Sequence, residues 1–458
     1  MTLAQRRKIW ANLASALTLM GVLVIVLSGL GWLLQQNQAV AGPDDAASPL
    51  QTNTARQIDY LQSRLQSQLQ VQPQDQDTYT LLGGAYLQKA RETGDAAYYA
   101  RAEGALRQSL ELDPGNARAM SLLGSLSLAR HDFRMASQWA QRALEVNPDY
   151  AAAYGVLGDA QIEQGQYQAG VESYQKMVDL KPNLDSYARV SYIRKLMGDV
   201  EGAMAAMAEA VDAGPPGNEN TAWAEVQLGD LYFGSGRIDE AAERYEAALR
   251  EFPGYYLALA SLARSRAAQG QFETAVELYQ AAVDIIPRPT ILAELGDLYA
   301  KNGQIELARS QYAMVEFIAE LAVVNQQGYN RELARFYADH GTRLDQALEL
   351  ATSELALRQD IYGYDTLAWA LYQNHRFEEA AAAIGRALHL DTRDAVLHYH
   401  AGKIFQGLGD PERAAEHLER ALELNPYFSL WQADDARQAL AELRRGTTPI
   451  LEGPRDEA

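Results

Sequence analysis

No cysteine occurs anywhere in the chain, which excludes disulfides, thiolate zinc sites, iron–sulfur ligation and cysteine nucleophiles together. Basic residues are scarce: 40 Lys and Arg against 60 Asp and Glu leave a formal charge of −20. Such a polyanion attracts no phosphate backbone, so the composition argues against nucleic-acid binding. Glycine and proline number 34 and 15 in 458 residues, too few for a low-complexity chain. Catalytic signatures are missing as well, with no G-x-S-x-G, no P-loop and no H-E-x-x-H. Of the seven histidines, His398 and His400 stand two apart and point about 200° apart on a helix, so they cannot share a metal there. The sequence therefore implies no cofactor, no metal and no enzymatic activity of its own. Hydrophobic residues, by contrast, make up 48% of the chain, ample for a core.

The one long uncharged apolar run is Ile9–Leu34, whose polar members are only Asn12, Ser15, Thr18 and Ser28. About 20 such residues cross a hydrocarbon core as a helix. Arg6, Arg7 and Lys8 precede the run, and the next basic residue is Arg56. That asymmetry keeps residues 1–8 cytoplasmic and sends the C-terminal bulk across, to a periplasmic or extracellular face. The reading is an uncleaved signal anchor over 9–34. The alternative is a signal peptide cut after the A-x-A pattern Ala39-Val40-Ala41, which would give a secreted form. Residues 35–54, rich in Gln, Asn and Ala with Asp44-Asp45, read as a flexible linker.

Length alone allows two to four domains, but a repeat overrides that expectation. Prolines fall at 114, 148, 182, 215, 253 and 287, nearly all 33 or 34 residues apart, and again at 426. Within each period the spacing recurs. Leu157-Gly158 precedes Gly170, Tyr174 and Pro182, and Leu228-Gly229 precedes Tyr232, Ala241, Tyr245 and Pro253. Leu295-Gly296 precedes Tyr299, Ala308 and Tyr312, and Ala401-Gly402 precedes Phe405, Ala414 and Pro426. Small residues let two antiparallel helices approach, an aromatic fills the gap on the same face, a glycine ends the first helix and a proline stops the second.

This pattern resembles the tetratricopeptide repeat, with its L-G-x2-Y…A-x3-F…P signature. The resemblance implies an all-α solenoid, a superhelix of antiparallel helix pairs, preceded here by one transmembrane helix. Ten units cover 76–426, beginning near residues 76, 117, 151, 184, 222, 256, 289, 327, 361 and 395. The fourth has Val190-Ser191 in place of Leu-Gly. The seventh lacks its closing proline and is read with a longer second helix through Phe317–Val324. The eighth has an insertion near Thr342-Arg343, and the ninth has His375 and Thr392 where Gly and Pro are usual. Ile58, Leu61, Leu65 and Leu69 mark an N-terminal capping helix in 55–75. A C-terminal cap lies in 427–445, with Ala436, Leu440 and Leu443 inside, and 446–458 is a disordered tail.

The resemblance also implies a concave groove lined by the first helix of each unit, with groove-facing side chains two and five residues either side of the Leu of Leu-Gly. In that phase stand Trp223, Asp230, Phe233, Arg264, Arg331, Arg335, Tyr362, Asp365, Trp369, Tyr372, Tyr399, Lys403 and Gln406. Aromatics and arginines together are the composition of a peptide hot spot. The bland alternative is that Trp369 and Tyr372 pack on the next unit and Arg331 pairs with a nearby carboxylate. None of the slots two after Leu holds Asn, so a Lys–Asn clamp on a terminal carboxylate is not expected. The expectation is a membrane-anchored scaffold that binds a protein or peptide and assembles a cell-envelope complex. Two rivals remain: an accessory subunit recruiting substrate to an envelope enzyme for sugar transfer or cell-wall processing, and a membrane-docked cytoplasmic regulator.

Overall fold

The structure is a computed structural model that describes residues 53–69, 75–324 and 330–446. The apolar run Ile9–Leu34 and residues 447–458 lie outside these residues, whereas Gly446, expected in the tail, belongs to the last helix. Among the described residues, no helix is long and apolar enough to cross a membrane.

The described residues form 22 α-helices and no strand. Helix α1 (Asn53–Leu69) comes first, so Asn53 and Thr54 belong to it and not to the linker. Ten antiparallel pairs follow. Repeats 1 to 3 are α2 (Gln76–Thr93) with α3 (Ala97–Leu112), α4 (Ala117–Ala129) with α5 (Phe133–Val146), and α6 (Ala151–Glu163) with α7 (Tyr167–Leu180). Repeats 4 to 6 are α8 (Leu184–Leu196) with α9 (Val200–Asp212), α10 (Glu219–Gly234) with α11 (Ile238–Glu251), and α12 (Tyr256–Ala268) with α13 (Phe272–Ile285). Repeats 7 and 8 are α14 (Pro289–Lys301) with α15 (Ile305–Val324), and α16 (Asn330–Asp339) with α17 (Leu344–Leu357). Repeats 9 and 10 are α18 (Ile361–Gln373) with α19 (Phe377–Ala387), and α20 (Ala395–Gly407) with α21 (Pro411–Leu424), and α22 (Gln432–Gly446) closes the stack.

Local chemistry sets these boundaries. Asp75, Asn116, Asp132, Asp199, Asp360 and Asp410 each accept a hydrogen bond from a backbone N–H in the first turn of the helix they precede. Each such cap contributes about 1 kcal/mol. Asn183 and Ser186 form a reciprocal capping box on α8. Asn218 caps α10 from Asn220 N, which starts repeat 5 three residues before its periodic position at 222. Within a pair, the small residue faces the large one. A Cβ on Gly158 would lie 2.5 Å from the ring of Tyr174, so the Leu-Gly glycine is the room the tyrosine occupies. With no proline to stop it, α15 runs for 20 residues and leaves Leu307, Met314, Phe317 and Leu321 exposed.

Stacking ten pairs with a small rotation at each step coils the chain, and here the coil closes on itself. The turn inside a repeat in the first half touches the loop that follows the repeat five further on. Gln359 N donates to Glu163 O at 2.9 Å, and Ile361 N donates to the Tyr167 hydroxyl at 2.8 Å, 194 residues away. One repeat later, Thr392 Oγ1 donates to Leu196 O, and beyond that Asn425 Nδ2 donates to Phe233 O at 2.8 Å. The same seam runs through Gly94, where a Cβ would meet Ile286 at 2.9 Å. In repeat 2 the equivalent turn residue is His131, held at φ 58, with Arg358 Cζ 5.0 Å over the adjoining Phe133 ring. The pair Arg358–Glu163, 2.6 Å apart, crosses the seam as well. Caps and repeats thus form one closed superhelix, whose first helices line a narrow interior.

Candidate functional site: the inner surface of the superhelix

Five aspartates on the inner side recur along the chain and bind to the adjoining helices. Asp159 accepts from the Tyr174 hydroxyl at 2.9 Å and takes a two-pronged bond from Arg189 of the next repeat, at 2.8 and 2.7 Å. Asp230 accepts from Tyr245 at 2.8 Å and from Arg264 at 2.7 Å. Asp297 accepts from Tyr312 at 2.8 Å and lies 2.9 Å from His340 Nε2. Asp365 lies 2.7 Å from His400 Nδ1, with Arg335 3.8 Å away. Asp435 of α22 accepts from Tyr399 at 2.9 Å and pairs with Lys403 at 3.0 Å. Each aspartate ties one repeat to the next, so the rows are as much glue as surface.

The thirteen residues of the groove phase therefore divide. Four have little free surface: Phe233 at 6%, Asp365 at 1%, Trp369 at 3% and Tyr399 at 4% exposed. These four do not present a groove face, contrary to the sequence-based phase. Trp369 is stacked on Tyr372 (ring centroids 4.9 Å apart) and on His400 (4.2 Å), and its indole N–H donates to Asp339 at 2.8 Å. Phe233 lies beneath Arg264, whose guanidinium carbon stands 4.7 Å above the ring. Arg331 pairs with Asp360 at 2.5 Å across the repeat boundary. Arg335 stays within 3.6 Å of Asp339. Trp223, Asp230, Arg264, Tyr362, Tyr372, Lys403 and Gln406 keep partial exposure. The Tyr362 hydroxyl is buried without a hydrogen-bond partner among the described residues.

Titration follows these contacts. Burial alone would raise Asp365, but the charge and hydrogen bond of His400, with Arg335 and Arg331, outweigh it and hold the carboxyl below its usual range. Burial likewise opposes charge on His340, yet its bond to Asp297 carries its pKa upward. At two other histidines burial wins. His131, facing Arg358, Arg331 and Arg288, falls to about 4, and His398, whose Nδ1 lies 2.9 Å from that of His417, falls to about 4. Glu163, buried in the seam against Arg358, rises to about 7.

Three contiguous cavities follow the interior. One of about 520 Å³ is lined by Tyr192, Lys195, Trp223, Gln227, Asp230 and neighbours, over an apolar floor that includes Leu184, Met207 and Leu231. It shares Lys195, Asp230 and Leu231 with a second of about 280 Å³, which adds Arg393, Asp394 and Phe428. That one shares Arg264, Val396 and Phe428 with a third of about 560 Å³ beside α22. Gln88 donates to Glu219 at 3.0 Å and Lys301 to Asp434 at 2.7 Å, contacts that join residues 131 and 133 apart in sequence. No metal-holding cluster of His, Asp or Glu occurs among the described residues.

Tyr192 and Lys195 stand two and five after Val190 and so in the groove phase, although the candidate set left them out; Arg189, His340 and Arg393 lie outside the phase. For the aspartate rows a signal was present, since Leu-Gly-Asp recurs at 157–159, 228–230 and 295–297 with a tyrosine fifteen residues after each Asp. Arg393 carries no such signal.

Comparison with known proteins accords with this architecture. Family models described as tetratricopeptide repeat match residues 122–185, 226–290 and 395–428. No curated protein matches the chain significantly. Similar solved structures include the Cut9–Hcn1 hetero-tetramer of the APC/C, at 15% identity and a TM-score of 0.37, covering 88% of this chain and 98% of that one. The human IFIT1 dimer with m7Gppp-AAAA shows 16% identity and a TM-score of 0.49, covering 74% and 78%. YrrB, described as a tetratricopeptide-repeat protein with an unusual peptide-binding site, shows 22% identity and a TM-score of 0.28, covering 40% and 93%. The chain carries tetratricopeptide repeats, and its described residues build an all-helical solenoid of that type.

Proposed function

We propose that this protein is a membrane-anchored interaction scaffold that holds a segment of a partner protein on its inner surface. The observation that supports this most is the cavity of about 520 Å³, where Trp223 and Tyr192 stand over an apolar floor with no hydrogen bond to any described residue. Aromatics with unspent polar edges beside apolar surface form the usual anchor of a peptide-binding hot spot. Repeats of this kind generally act as scaffolds without chemistry of their own, and we assign none here. The apolar run Ile9–Leu34, behind Arg6, Arg7 and Lys8, supports tethering to a membrane with the solenoid on the far side, in assembly of an envelope complex.

Site-specific crosslinking from position 192 in native membranes tests the binding surface. A discrete adduct lost in the Trp223→Ala protein is expected; adducts unaffected by that change place the partner elsewhere. A topology reporter fused after Ala458 tests the orientation, and a cytoplasmic signal overturns the exported arrangement.

A further inference from the structure

We propose that α15 is a self-association surface, on which a second copy of this chain docks antiparallel about a two-fold axis at Met314. This helix is the outer one of repeat 7, so the surface is separate from the inner one and does not depend on it.

Repeat 7 departs from the others in length and in what it turns outward. Helix α15 reaches 20 residues, against 14 in α11, α13 and α21. Of the large apolar side chains that the described residues leave exposed, five belong to α15: Ile305, Leu307, Met314, Phe317 and Leu321, each between 43% and 53% exposed. No other described helix carries more than two. The positions themselves are informative. The third, sixth, tenth and thirteenth residues of the outer helix are Arg413, Glu416, Arg420 and Glu423 in repeat 10. In repeat 7 they are Leu307, Ser310, Met314 and Phe317. A helix that faces only water has no use for such a stripe, which marks an interaction surface.

The spacing selects a helix as the occupant. Leu307, Met314 and Leu321 recur every seven residues, with Phe317 three after Met314, the pattern of a helix seam. The same stripe fits itself. In an antiparallel pair centred on Met314, Leu307 of one copy meets Leu321 of the other, since both stand seven residues from the axis. Phe317 then falls beside Ser310 of the second copy, large against small.

The area suffices for such a pair. Five side chains about half exposed offer on the order of 400 Å² of apolar surface per copy. Across a two-fold that becomes roughly 800 Å², and at the ~65% apolar share of homodimer interfaces about 1,200 Å² in all. That reaches the range of specific interfaces. Charge distinguishes this occupant from a foreign helix. Glu306 and Glu320 are exposed on α15, and each copy brings a charge of −20. Two copies therefore meet against like-charge repulsion, which salt screens, whereas a foreign helix with basic flanks would be attracted and released by salt.

The chain has no cysteine, so single introduced thiols report the contact directly. In the full chain in detergent, Met314→Cys is expected to form a disulfide-linked dimer under mild oxidation. Leu307→Cys and Leu321→Cys are each expected to stay uncrosslinked alone, because a thiol there stands about 20 Å along the helix from its own counterpart. Mixed together, these two are expected to crosslink. Leu307→Cys joining to itself as readily as Met314→Cys, or no crosslink at position 314, overturns the antiparallel pair. Sedimentation velocity supplies the affinity. Association is expected to tighten between about 0.05 and 0.5 M sodium chloride, and to weaken on the order of hundredfold in Phe317→Glu, since a two-fold counts the substitution twice. Association indifferent to Phe317→Glu belongs to another segment, such as Ile9–Leu34, and overturns the proposal. A chain monomeric up to about 100 μM, or a dimer loosened by salt, overturns it as well. Phe317 is exposed, so circular dichroism of the variant is expected to match wild type; if it does not, the thiol pairs decide alone.

Discussion

Replacing Gly165 with alanine, with Gly270→Ala as its control, isolates the energy of the seam. The two glycines hold the same position in repeats 3 and 6, at φ +72 and +76. An L side chain costs about 1 kcal/mol at either position. Their surroundings differ. A Cβ on Gly270 meets nothing within 4 Å, whereas one on Gly165 lies 2.7 Å from the backbone oxygen of Gln359. Relief requires residues 359–361 to withdraw, which breaks Gln359 N to Glu163 O and Ile361 N to the Tyr167 hydroxyl. At about 1 kcal/mol for each bond, Gly165→Ala is expected to exceed Gly270→Ala by roughly 2 to 3 kcal/mol. Part of that difference is expected as opening of the coil and not as unfolding, because neighbouring pairs remain stacked. Urea titration by circular dichroism measures the first component, and small-angle scattering below the transition measures the second as an increased radius of gyration. Equal urea midpoints and equal radii for the two variants would refute the seam as a source of stability.

Three further outcomes follow from the inner rows and the buried histidines. Trp369→Ala is expected to destabilise by about 3 to 5 kcal/mol, as for a buried aromatic, whereas a groove-facing tryptophan would cost far less; chemical denaturation decides. Tyr245→Phe removes one donor to Asp230 and costs about 1 kcal/mol, while Asp230→Ala strands both Tyr245 and Arg264 and is expected to cost more; the reverse order in urea would contradict the pairing. His131 and His398 sit near 4 in the folded chain and near 6.5 when exposed. Their contribution is complete above about pH 6.5 and is lost as pH falls toward 4, by on the order of 3 kcal/mol each as an upper limit for rings that keep some water contact. His340 acts in the opposite sense, its contribution fading as pH rises through its raised pKa. Thermal unfolding across this range, with His131→Asn flattening the acid limb, provides the measurement.

The helix pairs were legible because their determinants are local. Gly158 facing Tyr174 and Asn183 reaching Ser186 act within one repeat of sequence. Repeat 5 began earlier than its period because Asn218 supplied a better cap than the phase required. Site residues were harder to read. Of the groove-phase residues, Trp369 and Tyr399 are buried against each other between repeats, which the spacing alone does not reveal because it fixes a face and not the neighbour that covers it.

By itself, the sequence determined an acidic, cysteine-free stack of tetratricopeptide-type helix pairs, because each pair is specified by residues fewer than about 34 apart. Only the tertiary structure decided that the stack closes. The rotation per repeat accumulates from packing at every interface. The closure itself is made largely by backbone groups, such as Glu163 O, Leu196 O and Phe233 O, that meet partners 192 to 196 residues away. A backbone carbonyl has no letter in the sequence, so nothing in the chain's spelling announces which turns will touch.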